Sequence, residues 1–146
     1  MRMMKNSSWW KFVLVALAVL FLVAPNQLLA ADASVIKIYK SSKEEGKMVL
    51  DPPELYITSG TVVIWMNGFE GTELEVSFAD GKACQDVTVS PAQWGFKMSK
   101  TCFVMSYIPY AATSSLKFTQ AGTFKYTVTT MDGKTKTTGK IIVRDL

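Results

Sequence analysis

The C-terminal part of the chain reads GTFKYTVTTMDGKTKTTGKIIV from Gly122 to Val143. Two runs rich in β-branched and aromatic residues, Phe124–Met131 and Lys134–Val143, flank the pair Asp132-Gly133. Such runs favour strands. Asp-Gly between two strands favours a tight hairpin turn, because both residue types tolerate a positive φ angle. The stretch therefore predicts a β-hairpin near the end of the chain.

Strand signals also recur upstream of this hairpin. Ser34–Tyr39 alternates apolar and polar residues, and Thr72–Phe78 places Leu74, Val76 and Phe78 on one face of a strand. No segment after the N-terminal region shows a sustained apolar period of 3.6 residues, so helices are not indicated. Seven or eight short strands in about 110 residues predict an all-β fold, an antiparallel Greek-key β-sandwich.

The N-terminal region has the order of a secretory signal. Met1–Lys11 is basic, and Phe12–Ala24 is an unbroken apolar run followed by small residues. The run is shorter than the roughly 20 residues of a membrane-spanning helix, although an uncleaved anchor is the alternative. We expect residues 1–33 to be a signal peptide and residues 34–146 a single exported domain, periplasmic or extracellular and without stable membrane insertion. The candidate cleavage positions follow Ala30, Ala31 or Ala33.

Charge argues against a nucleic-acid partner. The chain has 16 basic and 12 acidic residues. Removal of Arg2, Lys5 and Lys11 with the signal leaves 13 basic residues against 11 or 12 acidic ones, a net charge of +1 or +2. A charge this small, without a basic stripe, gives no electrostatic footprint for nucleic acid.

The chain contains two cysteines, Cys84 and Cys102. An even pair in an exported protein predicts a disulfide, with two free thiols as the alternative. The bridge would close a loop of roughly 18 residues and stabilise the fold by about 3 kcal/mol. We therefore expect an irregular, disulfide-closed insertion around residues 82–102. The spacing is not C-x-x-C, so redox catalysis is not indicated.

From Met48 to Val143 the chain resembles a cupredoxin, the family of plastocyanin and azurin. Three segments carry the resemblance in the family's order: LDPPELYITSGTVVIWMN, SSLKFTQAGTFKY and GKIIV, which begin at Leu50, Ser114 and Gly139. The resemblance implies a Greek-key sandwich with a blue-copper site where the loops gather at one end.

The residues that would hold this copper are absent. A type 1 site uses two imidazoles, a thiolate and usually a weak axial Met, and the chain has no His. The resemblance places Leu74 and Met131 in the imidazole positions, Val128 in the thiolate position and Thr137 in the axial position. We therefore predict no cofactor. Copper would be possible only through an atypical site, built from scattered methionines: Met48, Met66, Met98, Met105 and Met131.

Two function classes remain. No nucleophile setting or phosphate loop is present, so we do not expect an enzyme. The first class is a protein-binding or structural module of the cell envelope, whose partner would be an unidentified envelope protein. The second is a periplasmic copper-handling or electron-transfer accessory protein. The candidate binding surface comprises Tyr107, Ile108, Pro109 and Tyr110 near the ligand end, and Trp94 and Phe96 within the insertion.

Overall fold

The structure is a computed structural model that describes residues 32–79, 87–90, 95–98 and 103–145, with the backbone alone at 98 and 103–106. The described residues form strands and connecting turns, and no helix is among them. The predicted signal peptide, apart from Asp32 and Ala33, lies outside these ranges. Cys84 and Cys102 lie outside them as well, so the disulfide stays a prediction.

Eleven strands form in the described part of the chain. They are β1 (Ala33–Lys40), β2 (Met48–Asp51), β3 (Glu54–Thr58), β4 (Val62–Gly68), β5 (Leu74–Phe78), β6 (Thr88–Val89), β7 (Lys97–Met98), β8 (Phe103–Ile108), β9 (Thr113–Phe118), β10 (Gly122–Thr130) and β11 (Lys136–Arg144).

The strands build two sheets that pack face to face. The first has the order β2-β1-β4-β9-β6, and the second has the order β3-β11-β10-β5-β8-β7. Most successive strands lie in different sheets, which is the connectivity of a Greek-key sandwich. The predicted all-β sandwich is thus confirmed.

The sheets are mixed, so the prediction of an antiparallel sandwich was wrong in this respect. β1 runs parallel to β4, and β3 runs parallel to β11. After the β1–β2 hairpin the chain crosses to the second sheet at Asp51-Pro52-Pro53, and it returns beside β1 in the same direction. Apolar alternation shows which side chains face inward, but it carries no information on strand direction.

The strand count also exceeds the predicted seven or eight. β6 and β7 have two residues each, too few for alternation to be visible. β2 has four residues and lies between a polar loop and two prolines, so it too is short for alternation to be visible. These three strands lie at sheet edges, where short strands are common.

Aromatic rings fill the centre of the sandwich. Trp65 of β4 packs edge-on against Phe78 and Tyr126, with ring centroids 6.0 and 5.6 Å apart. Gly139 lies directly opposite Tyr126 in the β10–β11 register. A Cβ atom at position 139 would overlap the Tyr126 ring. The glycine therefore provides the space that the ring occupies.

The Tyr126 hydroxyl is an unusual group for this core. It is buried, and within the described residues neither it nor the indole N–H of Trp65 has a hydrogen-bond partner. Burial raises the pKa of Tyr126 from 10.0 to about 12, and the facing indole N–H of Trp65 offsets only part of this rise. Packing of the Tyr126 ring thus stabilises the core, while desolvation of its unpaired hydroxyl destabilises it.

This pKa shift predicts a loss of stability at alkaline pH. Between about pH 10 and 12 the unfolded chain releases the Tyr126 proton while the folded protein retains it, so the free energy of unfolding falls by about 3 kcal/mol. Tyr126→Phe should remove this component of the decline and leave stability at pH 7 unchanged or slightly higher. Urea unfolding measured from pH 7 to 12 tests this. Tyr110→Phe, at an exposed position, is the control. Equal pH slopes in the wild type and Tyr126→Phe would refute the assignment.

Candidate functional site

Three loops meet at one end of the sandwich. Leu74 of β5 pairs with Ile108 of β8 on one side and with Thr130 of β10 on the other. Both neighbours are antiparallel to β5, so the loops that follow them emerge at the same end, about 10 Å apart. We call this region the loop end and define it as Phe69–Glu73, Pro109–Ala112 and Met131–Thr135.

Asn67 fixes two of these loops from beneath. Its side chain is fully buried. Its Nδ2 donates to the carbonyl oxygens of Ile108 at 2.8 Å and Thr72 at 3.1 Å, and its Oδ1 accepts from the N–H of Phe69 at 2.8 Å. An amide is the side chain that can both donate twice and accept at one site. One residue therefore joins the loop after β4 to the end of β8.

The main chain of Asn67 also holds the loop between β8 and β9. Its N–H donates to the carbonyl oxygen of Ala112 at 3.0 Å, and its carbonyl oxygen accepts from the N–H of Ala111 at 2.7 Å. Ala111 has a φ angle of 61°, which costs a residue with a Cβ atom roughly 1–2 kcal/mol. The hydrogen bonds to Asn67 offset this cost, and they set the direction of the loop.

The third loop differs from the tight turn predicted at Asp132-Gly133. β10 ends at Thr130 and β11 begins at Lys136, so the connection is longer than two residues. Only Gly133 takes a positive φ angle, 70°. Asp132 instead accepts hydrogen bonds through Oδ1 from the Thr130 hydroxyl at 2.7 Å and from the Lys134 N–H at 3.1 Å. The Asp side chain replaces part of the hydrogen bonding that a two-residue turn would supply.

The four positions aligned with copper ligands do not form a donor set. Leu74 and Val128 are fully buried in the core, and Val128 pairs with Thr137 across the hairpin. Met131 is 54% exposed. Two aliphatic side chains, one hydroxyl and one outward thioether do not fit a type 1 copper ion, which needs imidazole and thiolate ligands.

The described methionine side chains do not gather at this end. Met48 is buried at the start of β2, Met66 is half-buried on β4, and Met131 is exposed at the loop end. The side chains of Met98 and Met105 lie outside the described part. Among the residues that the structure describes, no three His, Cys, Asp or Glu side chains are grouped so that they could hold a metal ion.

The predicted binding surface is only partly exposed. Tyr107 and Tyr110 are 49% and 52% exposed, and Pro109 is exposed as well. Ile108 was wrongly included, because its side chain alternates inward from β8 and is completely buried.

The second predicted patch, in the insertion, needs a similar correction. Phe96 is 5% exposed, and its ring lies 5.0 Å from the Trp65 ring, so it is a core residue. Its position two residues after Trp94 suggested a surface patch, but packing against Trp65 cannot be read from the sequence. Trp94 lies outside the described residues.

Sequence reasoning missed the role of Asn67. Asn67 ends the segment LDPPELYITSGTVVIWMN, and no role was predicted for it. A useful signal was present, because Asn67 is the first strongly polar residue after the apolar run from Val62. Inward alternation from Val63 and Trp65 places it in the core, where a polar group needs partners.

Comparisons with known proteins find similarity among solved structures. No protein-family model matches the sequence, and no curated protein matches it. Among solved structures the chain is similar to amicyanin from Paracoccus versutus (Thiobacillus versutus), with a TM-score of 0.49 and 24% identity over 78% of this chain and 83% of that one.

Two further solved structures are also amicyanins. A reduced form of one amicyanin variant and a Cu(I) form of another each give a TM-score of 0.47 and 21% identity, over 80% of this chain and 87% of theirs. The described residues include no helix with the length and apolar content needed to cross a membrane.

The Asn67 network predicts a large effect of substitution. Asn67→Ala should lower the free energy of unfolding by about 2–4 kcal/mol, because it leaves one N–H and two carbonyl groups without their partner in a buried site. Thr72→Ala is the matched control, since the bond from Asn67 goes to the Thr72 main chain and not to its side chain. Urea denaturation of both variants measures the difference. A loss below about 1 kcal/mol for Asn67→Ala would show that the loops are held in another way.

Proposed function

We propose that the protein is an exported, non-enzymatic domain that binds another protein of the cell envelope through its loop end. The observation that carries the proposal is the exposure of three large side chains, two in the loop end and one, Tyr107, on β8 just before it. Tyr107, Tyr110 and Met131 are each about half exposed. Tyr and Met are enriched at protein interfaces, where their broad side chains displace water and still tolerate a polar surrounding.

The rigid base beneath these side chains supports the proposal. Asn67 holds the loops after β4 and β8 through buried hydrogen bonds, and the N–H of Met131 donates to the carbonyl oxygen of Glu73 at 3.1 Å. A surface that is already ordered loses little conformational entropy when a partner binds. The loop end is therefore suited to recognition by shape.

Acid–base chemistry at this end has little support. Hydrogen bonds from the Thr130 hydroxyl and the Lys134 N–H lower the pKa of Asp132, so this carboxyl is a poor general base near neutral pH. The same two bonds give Asp132 a structural role in the hairpin.

Export is supported by the N-terminal sequence and by where the fold begins. β1 starts at Ala33, and the carbonyl oxygen of Asp32 accepts a hydrogen bond from the N–H of Val62 at 2.8 Å. Cleavage after Ala30 or Ala31 would retain this bond, whereas cleavage after Ala33 would remove it. We therefore favour the two earlier positions.

Site-specific photo-crosslinking in intact cells tests the binding role. A photoreactive phenylalanine analogue is placed at Tyr110, at Met131 or, as the control, at Thr138, which is exposed on the outer face of β11. We expect positions 110 and 131 to give one common adduct that position 138 does not give.

Three results would contradict the proposal. They are the absence of adducts from positions 110 and 131, equal labelling from position 138, and an adduct of twice the chain's own mass. The last would identify a second copy of the chain at the loop end.

A further inference from the structure

The outer surface of the five-stranded sheet is apolar where a two-layer sandwich usually meets water. On β1 the buried Ile36 and Ile38 alternate with outward Val35, Lys37 and Tyr39. Val35 is 44% exposed and Tyr39 is 38% exposed. The strand thus presents apolar side chains on both of its faces.

β4 continues this surface. Its inward residues are buried, and its outward residues Val62, Ile64 and Met66 are half-buried and all apolar. The register places Val35 beside Ile64 and Val49 of β2 beside Tyr39. We call this surface the β1–β4 face, and its apolar members are Val35, Tyr39, Val49, Val62, Ile64 and Met66.

On the other sheet, the outer side of β10 is polar and shows the contrast with β1 and β4. The outward residues of β10 are Thr123, Lys125, Thr127 and Thr129. A strand that is apolar on both faces is typical of one covered on both sides, and a contiguous apolar surface rimmed by polar residues marks an interaction site. The β1–β4 face is therefore a candidate for burial by a partner.

Two charges border the face on opposite sides. Asp51 lies on β2, two strands from Ile64, and Lys117 lies on β9 beside Val62. Lys37 is a third charge, which projects from β1 within the face and lies opposite Asp51. Within the described residues, neither Asp51 nor Lys117 takes part in an ion pair. The strand spacing and the residue rise place each charge roughly 10 Å from the point midway between Val35 and Ile64. Asp51 and Lys117 thus lie at equal distances on opposite sides of the midpoint between Val35 and Ile64.

We propose that the β1–β4 face forms a symmetric homodimer, with the two-fold axis in the plane of the interface between Val35 and Ile64. Rotation by 180° about this axis places Asp51 of each copy over Lys117 of the other copy. In a two-fold interface every contact occurs twice, so both acids and both bases find partners at once. The apolar residues of the two faces meet at the centre.

The size of the face fits a modest specific interface. Four strands, β2, β1, β4 and β9, span about 19 Å, and eight residues of β1 span about 26 Å. Because β2, β4 and β9 are shorter than β1, the projected area is roughly 400 Å², and the accessible area of such a side-chain surface exceeds its projection. Specific interfaces bury about 800 Å² per partner. We therefore expect a reversible dimer whose population depends on concentration.

A second copy also fits the shape of the surface. Sheets pack face to face at about 10 Å when both present apolar surfaces, and the same face of another chain is such a surface. This dimer uses the outer side of a sheet and not the loops at its end, so it is independent of the proposed function.

Charge reversal tests the predicted contact. The protein is produced with its own N-terminal segment, recovered from the exported fraction and studied by analytical ultracentrifugation over a range of concentrations. Asp51→Lys and Lys117→Asp should each raise the dimer Kd at least about tenfold, because each places like charges in contact twice. An equimolar mixture of the two variants should restore the dimer, since every 51–117 contact then joins opposite charges.

Two controls keep the test decisive. Lys125→Asp changes a charge on the outer face of the other sheet and should leave the Kd unchanged. Val35→Lys should abolish the dimer while the thermal unfolding temperature stays close to that of the wild type, because Val35 is exposed in the monomer. A monomer at all concentrations would overturn the proposal. A dimer that withstands both single reversals, or one that the mixture does not restore, would also overturn it.

Discussion

The packing of Trp65 against Tyr126 between the two sheets is the interaction on which the rest of the structure depends. Trp65 comes from one sheet and Tyr126 from the other, and their rings meet 5.6 Å apart at the centre. The contact requires the absence of a side chain at Gly139, and it desolvates the Tyr126 hydroxyl. Burial of large apolar rings contributes several kcal/mol each, enough to outweigh one unpaired hydroxyl. The contact therefore fixes β4 and its neighbours in one sheet relative to β10 and its neighbours in the other.

The same inward row of β4 connects the core to the loops. Val63, Trp65 and Asn67 all face inward, so the row begins with packing and ends with hydrogen bonds. Because Trp65 fixes β4 in the sandwich, it also fixes the position from which Asn67 holds the loop end. The exposed side chains of that end, including Tyr110 and Met131, are thus presented on a base that belongs to the core. Recognition through this end would depend on core packing as much as on the exposed residues themselves.

Much of the architecture could be predicted from the sequence, because alternation directly reports which side chains are buried. The strand around Leu74–Phe78 and the C-terminal hairpin follow from such patterns. Strand direction does not, since a parallel and an antiparallel neighbour impose the same alternation. Exposure near the ends of strands was also harder to predict. Ile108 lies within a run of candidate surface residues, and its burial depends on its pairing with Leu74, a contact distant in sequence. The disulfide stays a prediction.

The central claim is that this sandwich acts through its surfaces and not through a bound copper ion. Buried Leu74 and Val128 stand in two of the positions that the sequence resemblance assigns to metal ligands, and the exposed Met131 offers one thioether. Copper titration of the exported protein, with bound metal counted by native mass spectrometry in both oxidation states, tests the claim most directly. We predict no stoichiometric complex with Cu(I) or Cu(II) that survives a competing chelator. One tightly held copper ion per chain would contradict the account.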